Sequence, residues 1–349
     1  MTDTRTPDAR LTALRHWLDA HAAPLGLRPD TLTPVSGDAS FRRYFRLQAA
    51  EGTLIVMDAP PPHEDCRPFV AIAQQLAASG LHVPAILAQD IDQGFLLLSD
   101  LGRQTFHEAI QAGFCQDDAV WQQHMRGVLR ALVRLQQCPT DDLPAYDQAR
   151  LLQELALFPQ WYLQTHLGHT PSADTQAMLD RTFAVLARQA ADQAQVFVHR
   201  DFHSPNLMIG PGAPNFIPGI IDFQDALRGP ISYDVASLVM DARTTWDEPQ
   251  QLDWAIRYWE YARTAGMPVP ADFAEFHQQY EWMGLQRNLR ILGVFARLSH
   301  RDGKHHYLDH IPRVQAYVRQ VAGRYTVFHP LLRLLDQVEQ VPQKNGYSF

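Results

Sequence analysis

HRDFHSPN, residues 199–206, sets two histidines, an arginine, an aspartate and an asparagine directly behind the apolar run Val196-Phe197-Val198. A short β-branched and aromatic run that ends in such a cluster reads as a strand delivering a loop. Loops rich in acid, base and amide groups at the end of a strand handle chemistry more often than packing. Two further apolar segments lie just beyond it, NLMI at 206–209 and FIPGIIDFQDA at 216–226, and the second carries Asp222. The stretch 195–226 therefore reads as short strands flanking one polar loop, and everything around it reads as helix.

At 349 residues the chain exceeds one typical core, and roughly two domains are expected. The composition, 46% hydrophobic and 19% charged, is that of a globular protein with no tract biased enough for disorder. A net charge of −8 argues against a nucleic-acid partner, because phosphate backbones are bound by basic patches. Arginine supplies nearly all the positive charge: the two lysines are Lys304 and Lys344. Cys66, Cys115 and Cys138 are odd in number and lack CxxC spacing, which signals neither a disulfide framework nor a zinc site. No apolar run approaches a membrane span, and the opening MTDTRTPDAR has no signal-peptide core. A cytoplasmic protein with no membrane partner is expected.

Leu11, Leu14, Trp17 and Leu18 recur at helical spacing and predict an opening helix ending near Pro24 and Gly26. The stretch from Leu32 to Pro62 divides into three apolar runs, broken at Ser36-Gly37-Asp38 and Glu51-Gly52, the pattern of an antiparallel meander. A helix with Phe69, Ile72, Ala73 and Leu76 on one face follows, closing at Gly80, and then two short strands near Ala85-Ile86-Leu87 and in GFLLLSDLG, 94–102. From Asp117 the chain reads as helical, with further helices at 150–167 and 173–193, and again over 232–340, including a long run from Phe273 to Ser299. The division expected is a β-rich N-terminal lobe, 1–101, and a helical C-terminal lobe, 102–349.

His199-Arg200-Asp201 with Asn206 matches the H-R-D-x-x-x-x-N catalytic loop of kinases, and Asp222-Phe223 follows as in their D-F-G element. At these residues the chain resembles the aminoglycoside phosphotransferase-like kinases, which implies the two-lobe protein-kinase-like α+β fold. Within that group, GDASFRRYFRL, MDAPPPHEDCRPF, HRDFHSPNLM, IDFQDALRGPISYDVASL and LQRNLRILGVFAR are similar to the bacterial amino-sugar kinases that phosphorylate N-acetylmuramate and N-acetylglucosamine at the anomeric oxygen. The resemblance implies ATP and Mg²⁺, with Asp201 taking the acceptor's proton and Asn206 and Asp222 ligating the metal. It implies a nucleotide lobe in 1–101, with a hinge at LLSDLG, and a catalytic loop and sugar site in 102–349. Asp234, in SYDVASL, is expected to anchor the catalytic loop rather than to react. A small-molecule kinase acting on another alcohol, or a nucleotide-binding pseudokinase, are the competing readings.

One departure from the kinase pattern stands out. The lysine expected on the third strand falls near Met57, and no lysine precedes Lys304. Its glutamate partner on the following helix falls near Phe69, so both halves of that ion pair are replaced by apolar residues. Arg42, Arg43 and Arg46 in SFRRYFR offer guanidinium groups instead, with Arg42 and Arg46 on one strand face and Arg43 on the other. The nucleotide set implied is Gly37 and Ser40 in the loop, Arg43 from the arginine run, and Ser99 and Leu101 at the hinge. His203 and Arg287 are the candidates on the substrate side.

Overall fold

The computed structural model describes residues 8–35, 41–113, 118–209 and 216–339. Two compact units result, one comprising Met1–Gln104, Met208–Pro214 and Pro218–Asp225, the other Thr105–Leu207, Asn215–Ile217 and Ala226–Phe349.

The first unit is built on a meander. Helix α1 (Ala9–Leu25) begins where the Asp8 carboxylate accepts from the N–H groups of Arg10 and Leu11, and stops where Gly26 turns left-handed at φ 59°. Strands β1 (Arg28–Pro34), β2 (Arg43–Ala49) and β3 (Gly52–Asp58) follow as antiparallel neighbours. After α2 (Arg67–Ala78), strands β4 (Ile86–Asp90) and β5 (Phe95–Ser99) complete a sheet of order β1-β2-β3-β5-β4. The β4–β5 turn needs its glycine: at Gly94, φ 70°, a Cβ would stand 1.9 Å from the Ala59 carbonyl oxygen.

Register assigns every side chain of this sheet to a face. Tyr44 pairs with Met57 and Phe45 with Val56, so alternation sends Phe45, Leu47, Val56, Phe95 and Leu97 to one side. There they bury Leu14, Trp17 and Leu18 of α1. Asp58, fully buried, shares that face. Its carboxylate accepts from Arg10 Nε at 2.6 Å and from Arg43 Nε and Nη2 at 2.9 and 2.6 Å, which satisfies a charge that burial would otherwise make costly.

The second unit is helical. Helices α3 (Phe106–Gln111), α4 (Asp118–Gln136), α5 (Gln148–Leu155) and α6 (Ala173–Ala191) precede strand β6 (Gln195–Val198). β7 (Leu207–Met208), where the chain passes between the units, pairs with β8 (Gly219–Ile220), while β6 pairs antiparallel with β9 (Leu227–Pro230). Helices α7 (Tyr233–Val239), α8 (Glu248–Thr264), α9 (Phe273–His300), α10 (Ile311–Arg324) and α11 (His329–Val338) close the fold. Among the described residues, no helix is long and apolar enough to cross a membrane.

Four local expectations are corrected. The helix expected over 150–167 breaks: α5 ends at Leu155, and Phe158–His166 is a π-helical turn. Pro159 is the cause, since it lacks an N–H and its ring collides with the carbonyl four residues back. Helix α3 was not read from the sequence, although Thr105 and Glu108 form a full capping box. Nor was β9, whose sequence LRGP reads as a turn. Asp222 lies beyond its strand rather than on it, since β8 ends at Ile220 and Asp222 turns left-handed at φ 65°.

Helix α9 crosses the π-helical segment so closely that a Cβ at Gly293 would stand 2.4 Å from the Leu157 carbonyl carbon, whereas a Cβ at Gly323 in α10 meets only Leu332 at 3.9 Å. Gly293→Ala should therefore lower stability by about 1–3 kcal/mol through overpacking. Gly323→Ala should be neutral or stabilising by up to about 1 kcal/mol, by removing backbone freedom from the unfolded chain. Thermal unfolding of both variants checks the opposite signs.

Candidate active site

The loop 199–206 is held by two buried carboxylates from the α7 region. Strand β6 delivers His199 and Arg200, whose backbone N–H groups both donate to Asp234, at 2.7 and 3.0 Å. Arg200 has φ 77°, a left-handed conformation that a residue with a Cβ keeps only when its surroundings impose it. Burial pushes the Asp234 carboxyl up to about 7, against the opposing effect of those two N–H donors. At the far end of the loop, Asp241 accepts from the Ser204 N–H at 3.2 Å and from the Ser204 hydroxyl. Burial would raise the Asp241 carboxyl as well, but His203, Ser204 and the Arg243 N–H hold it well below the usual carboxylate range.

Between these anchors stands Asp201. The Asn206 side-chain N–H donates to its backbone carbonyl at 2.9 Å, closing the loop on itself. Burial by itself would raise the Asp201 carboxyl, yet His203, Arg290, Arg287 and Arg200 more than offset it and bring it down to about 2. Two of these cations are engaged: Arg200 donates to Glu154 at 2.6 Å, and Arg290 lies 3.1 Å from the same carboxylate, which also accepts from the Tyr146 hydroxyl. Arg287 differs. It is 3% exposed, and its Nε and Nη1 have no hydrogen-bond partner among the described residues. His203 is buried with its ring 3.8 Å from Asp241 and 3.4 Å from Arg243, so it belongs to the Asp241 anchor.

The second unit thus brings together Asp201, Asn206, His203 and Arg287. The sequence reading missed Asp241 and Glu154, and it had Arg290 only as one of the arginines in the basic stretch that includes Arg287. Of the two missed, Asp241 alone left a trace, as an acid in the stretch following the recognised anchor Asp234.

The remaining candidates belong to the first unit. Asp222 accepts from the Gln224 amide at 2.9 Å, and Phe223 beside it stacks on Phe69 with ring centroids 4.9 Å apart. An aromatic contact thus stands where kinases place the helix glutamate, and Met57 is fully buried. Arg43 lies on the α1 face of the sheet, engaged by Asp58 and Asp8. Arg46 forks onto Asp100 at 2.6 and 3.0 Å and reaches the Gly102 carbonyl at 2.8 Å. Ser99 is tied to Ala85 through its N–H and its hydroxyl, and Leu101 packs over Gly219. Gly37 and Ser40 lie outside the described residues.

An amide at position 234 would offer one acceptor oxygen where two N–H donors converge, and its own N–H₂ would face the second. Asp234→Asn should therefore cost about 1–3 kcal/mol in thermal unfolding and lower turnover with it, because the left-handed Arg200 backbone loses one of its restraints. Unchanged stability would show that the two N–H groups find other acceptors.

With this geometry in view, comparison with known proteins is informative. The phosphotransferase enzyme family model matches residues 31–273. The N-acetylmuramate/N-acetylglucosamine kinase of Pseudomonas aeruginosa is 46% identical over 341 residues, covering 95% of this chain and 98% of that protein. The one from Neisseria meningitidis serogroup B is 40% identical over 343 residues, covering 97% and 99%. Among solved structures, Plasmodium vivax ethanolamine kinase superposes with a TM-score of 0.57 at 10% identity, covering 83% of each chain. A spectinomycin phosphotransferase gives 0.59 at 11% identity, covering 86% of this chain and 93% of its own. At such low identity these structures speak for the fold alone, which is the α+β protein-kinase-like fold. The family match runs from β1 to the start of α9 and takes in Asp201, Asn206, Asp222 and Asp234, and with that span and such relatives the chain belongs to the phosphotransferase enzyme family.

Proposed function

We propose that this chain is an ATP-dependent kinase of N-acetylmuramate and N-acetylglucosamine, transferring phosphate to the anomeric hydroxyl to give the α-1-phosphate, in the recycling of peptidoglycan sugars towards UDP-N-acetylmuramate. The observation that carries the reading is Asp201, a carboxylate presented by a doubly anchored loop and kept ionised by the cations around it. The relatives of nearly full length support the choice of sugar.

In this reading Asp201 orients the acceptor hydroxyl and takes its proton as the sugar oxygen bonds to the γ-phosphorus and ADP departs. A carboxyl near 2 is a weak base, and that suits an anomeric hydroxyl, whose ring oxygen withdraws electron density and makes it more acidic than a primary alcohol. Arg287, buried with donors to spare, is assigned to substrate oxygens or to the lactyl carboxylate. We assign nucleotide contacts to the first unit, with Leu101 at the hinge and Gly37 and Ser40 in the loop.

Asn206 and Asp222 present hard oxygen donors of the kind Mg²⁺ takes. Among the described residues no group of three or more His, Cys, Asp and Glu side chains is placed to hold a metal ion. When bound, Mg²⁺ neutralises phosphate charge during transfer.

Coupled measurement of ADP release should show turnover with both amino sugars, and Asp201→Asn should lower kcat by on the order of 10² to 10⁴ while ATP still binds. Methyl α-N-acetylglucosaminide, blocked at C1, should be inert, and the 6-deoxy sugar should be a substrate. The reverse pattern would move the transfer to C6. Turnover with choline or kanamycin alone would change the acceptor, and silence with every acceptor would leave a nucleotide-binding module.

A further inference from the structure

The kinase lysine that contacts the α- and β-phosphates is missing from β3, and the first unit contains a different ion pair on the same side of the sheet. Arg42 Nε lies 3.3 Å from Glu64 Oε2, with the two side chains only 12% and 18% exposed. Glu64 is itself held. Its Oε1 accepts from the Phe41 N–H at 3.3 Å, and its backbone N–H closes a turn onto the Pro60 carbonyl at 2.9 Å.

Register relates this pair to the lysine position. Met57 is the cross-strand partner of Tyr44, and directly opposed residues of antiparallel strands share a face. Arg42 stands two residues before Tyr44, so alternation returns it to that face, while Arg43 is turned to α1. Burial pushes the Tyr44 phenol up to about 12, and the charges acting on it are those of Arg42, Asp222 and Glu64, with Arg42 also hydrogen-bonding it. Arg42 and Glu64 form their pair beside Tyr44, in the same unit as the proposed metal ligand Asp222.

We infer that Arg42, held in place by Glu64, is the cation that binds the α- and β-phosphates of the nucleotide, replacing the absent strand lysine from the neighbouring strand. The inference rests on the kinase reading above. A guanidinium presents its N–H donors in a planar fork that matches phosphate oxygens, and a carboxylate beside it orients that fork. Glu64 then acts as a positioning residue, as the helix glutamate does for lysine in other kinases. Arg46 shares the face, but its guanidinium is committed to Asp100 and the Gly102 carbonyl.

The test is calorimetric binding of a non-hydrolysable ATP analogue and of adenosine to the full chain, in parallel for each variant. Arg42→Ala should weaken the analogue by about 10- to 100-fold, the loss of one charge-assisted phosphate contact, and leave adenosine unchanged. Arg42→Lys should recover part of the loss. Glu64→Gln should weaken the analogue less and raise KM for ATP more than it lowers kcat, and exposed Arg28→Ala controls for net charge. Thermal stabilisation by the analogue should fall in the same order. Arg42→Ala binding the analogue within twofold of the parent, or losing adenosine by the same factor, would overturn the assignment. Should Arg42→Ala fail to fold, Arg42→Lys and Glu64→Gln decide: no change in analogue affinity in either overturns it too. Absence of sugar-dependent ADP release by the parent protein would instead strike the kinase reading, and the two failures are read in separate assays.

Discussion

Two N–H groups, those of His199 and Arg200, converge on the buried carboxylate of Asp234, and the geometry of the loop 199–206 depends on that convergence. A strand normally spends its N–H groups on a neighbour. Here β6 has its partner, β9, only as far as Val198, and the chain must then turn through a left-handed Arg200 to present Asp201. Without a buried acceptor the two donors would be orphaned at a cost comparable to the stability of a loop. That carboxylate stands in the first turn of α7, so the backbone leading into Asp201 is restrained from a distant part of the sequence.

The second organising feature is the distribution of positive charge. A chain without lysine before Lys304 carries its positive charge there on arginine, which stays charged when buried and so calls for carboxylate company. Arg42, just ahead of β2, and Arg43 and Arg46 within it each have such a partner: Glu64, Asp58 and Asp100 respectively. Glu154 serves Arg200 and Arg290 in the other unit. Arg287 is the exception near Asp201. A buried guanidinium with unspent donors weakens the folded state, which is a reason to look for its partner in a substrate.

Loss of the lysine and glutamate together is also intelligible as packing. With Met57 buried and Phe69 stacked on Phe223, the interior that would hold a buried ion pair is apolar, and no charge is left there without a partner. The aspartate next to Phe223 has a left-handed backbone, and the aromatic stack lies directly beside it.

Much of this was legible in the order of residues. Asp201, Asn206 and Asp222 lie within one short stretch, and the chemistry proposed for them demands particular side chains at particular spacings, so local sequence was enough to single them out as candidates. The helical stripes of α1, α2 and α4 were readable because one apolar face repeats every 3.6 residues. The break at Pro159 had a local signal, a proline inside the expected helix, that was passed over; the strand hidden in LRGP had none, since it is settled by its pairing with β6. Asp241 and Glu154 were out of reach because they approach the loop from other parts of the chain. The arginine run shows the limit most clearly: alternation separates Arg43 from Arg42 and Arg46, but which face meets α1 depends on a phase that a period of two leaves open. Only the pairing of β2 with β3, with Asp58 and the apolar side chains turned together onto α1, decided it, because a shift of one residue would have buried the opposite set.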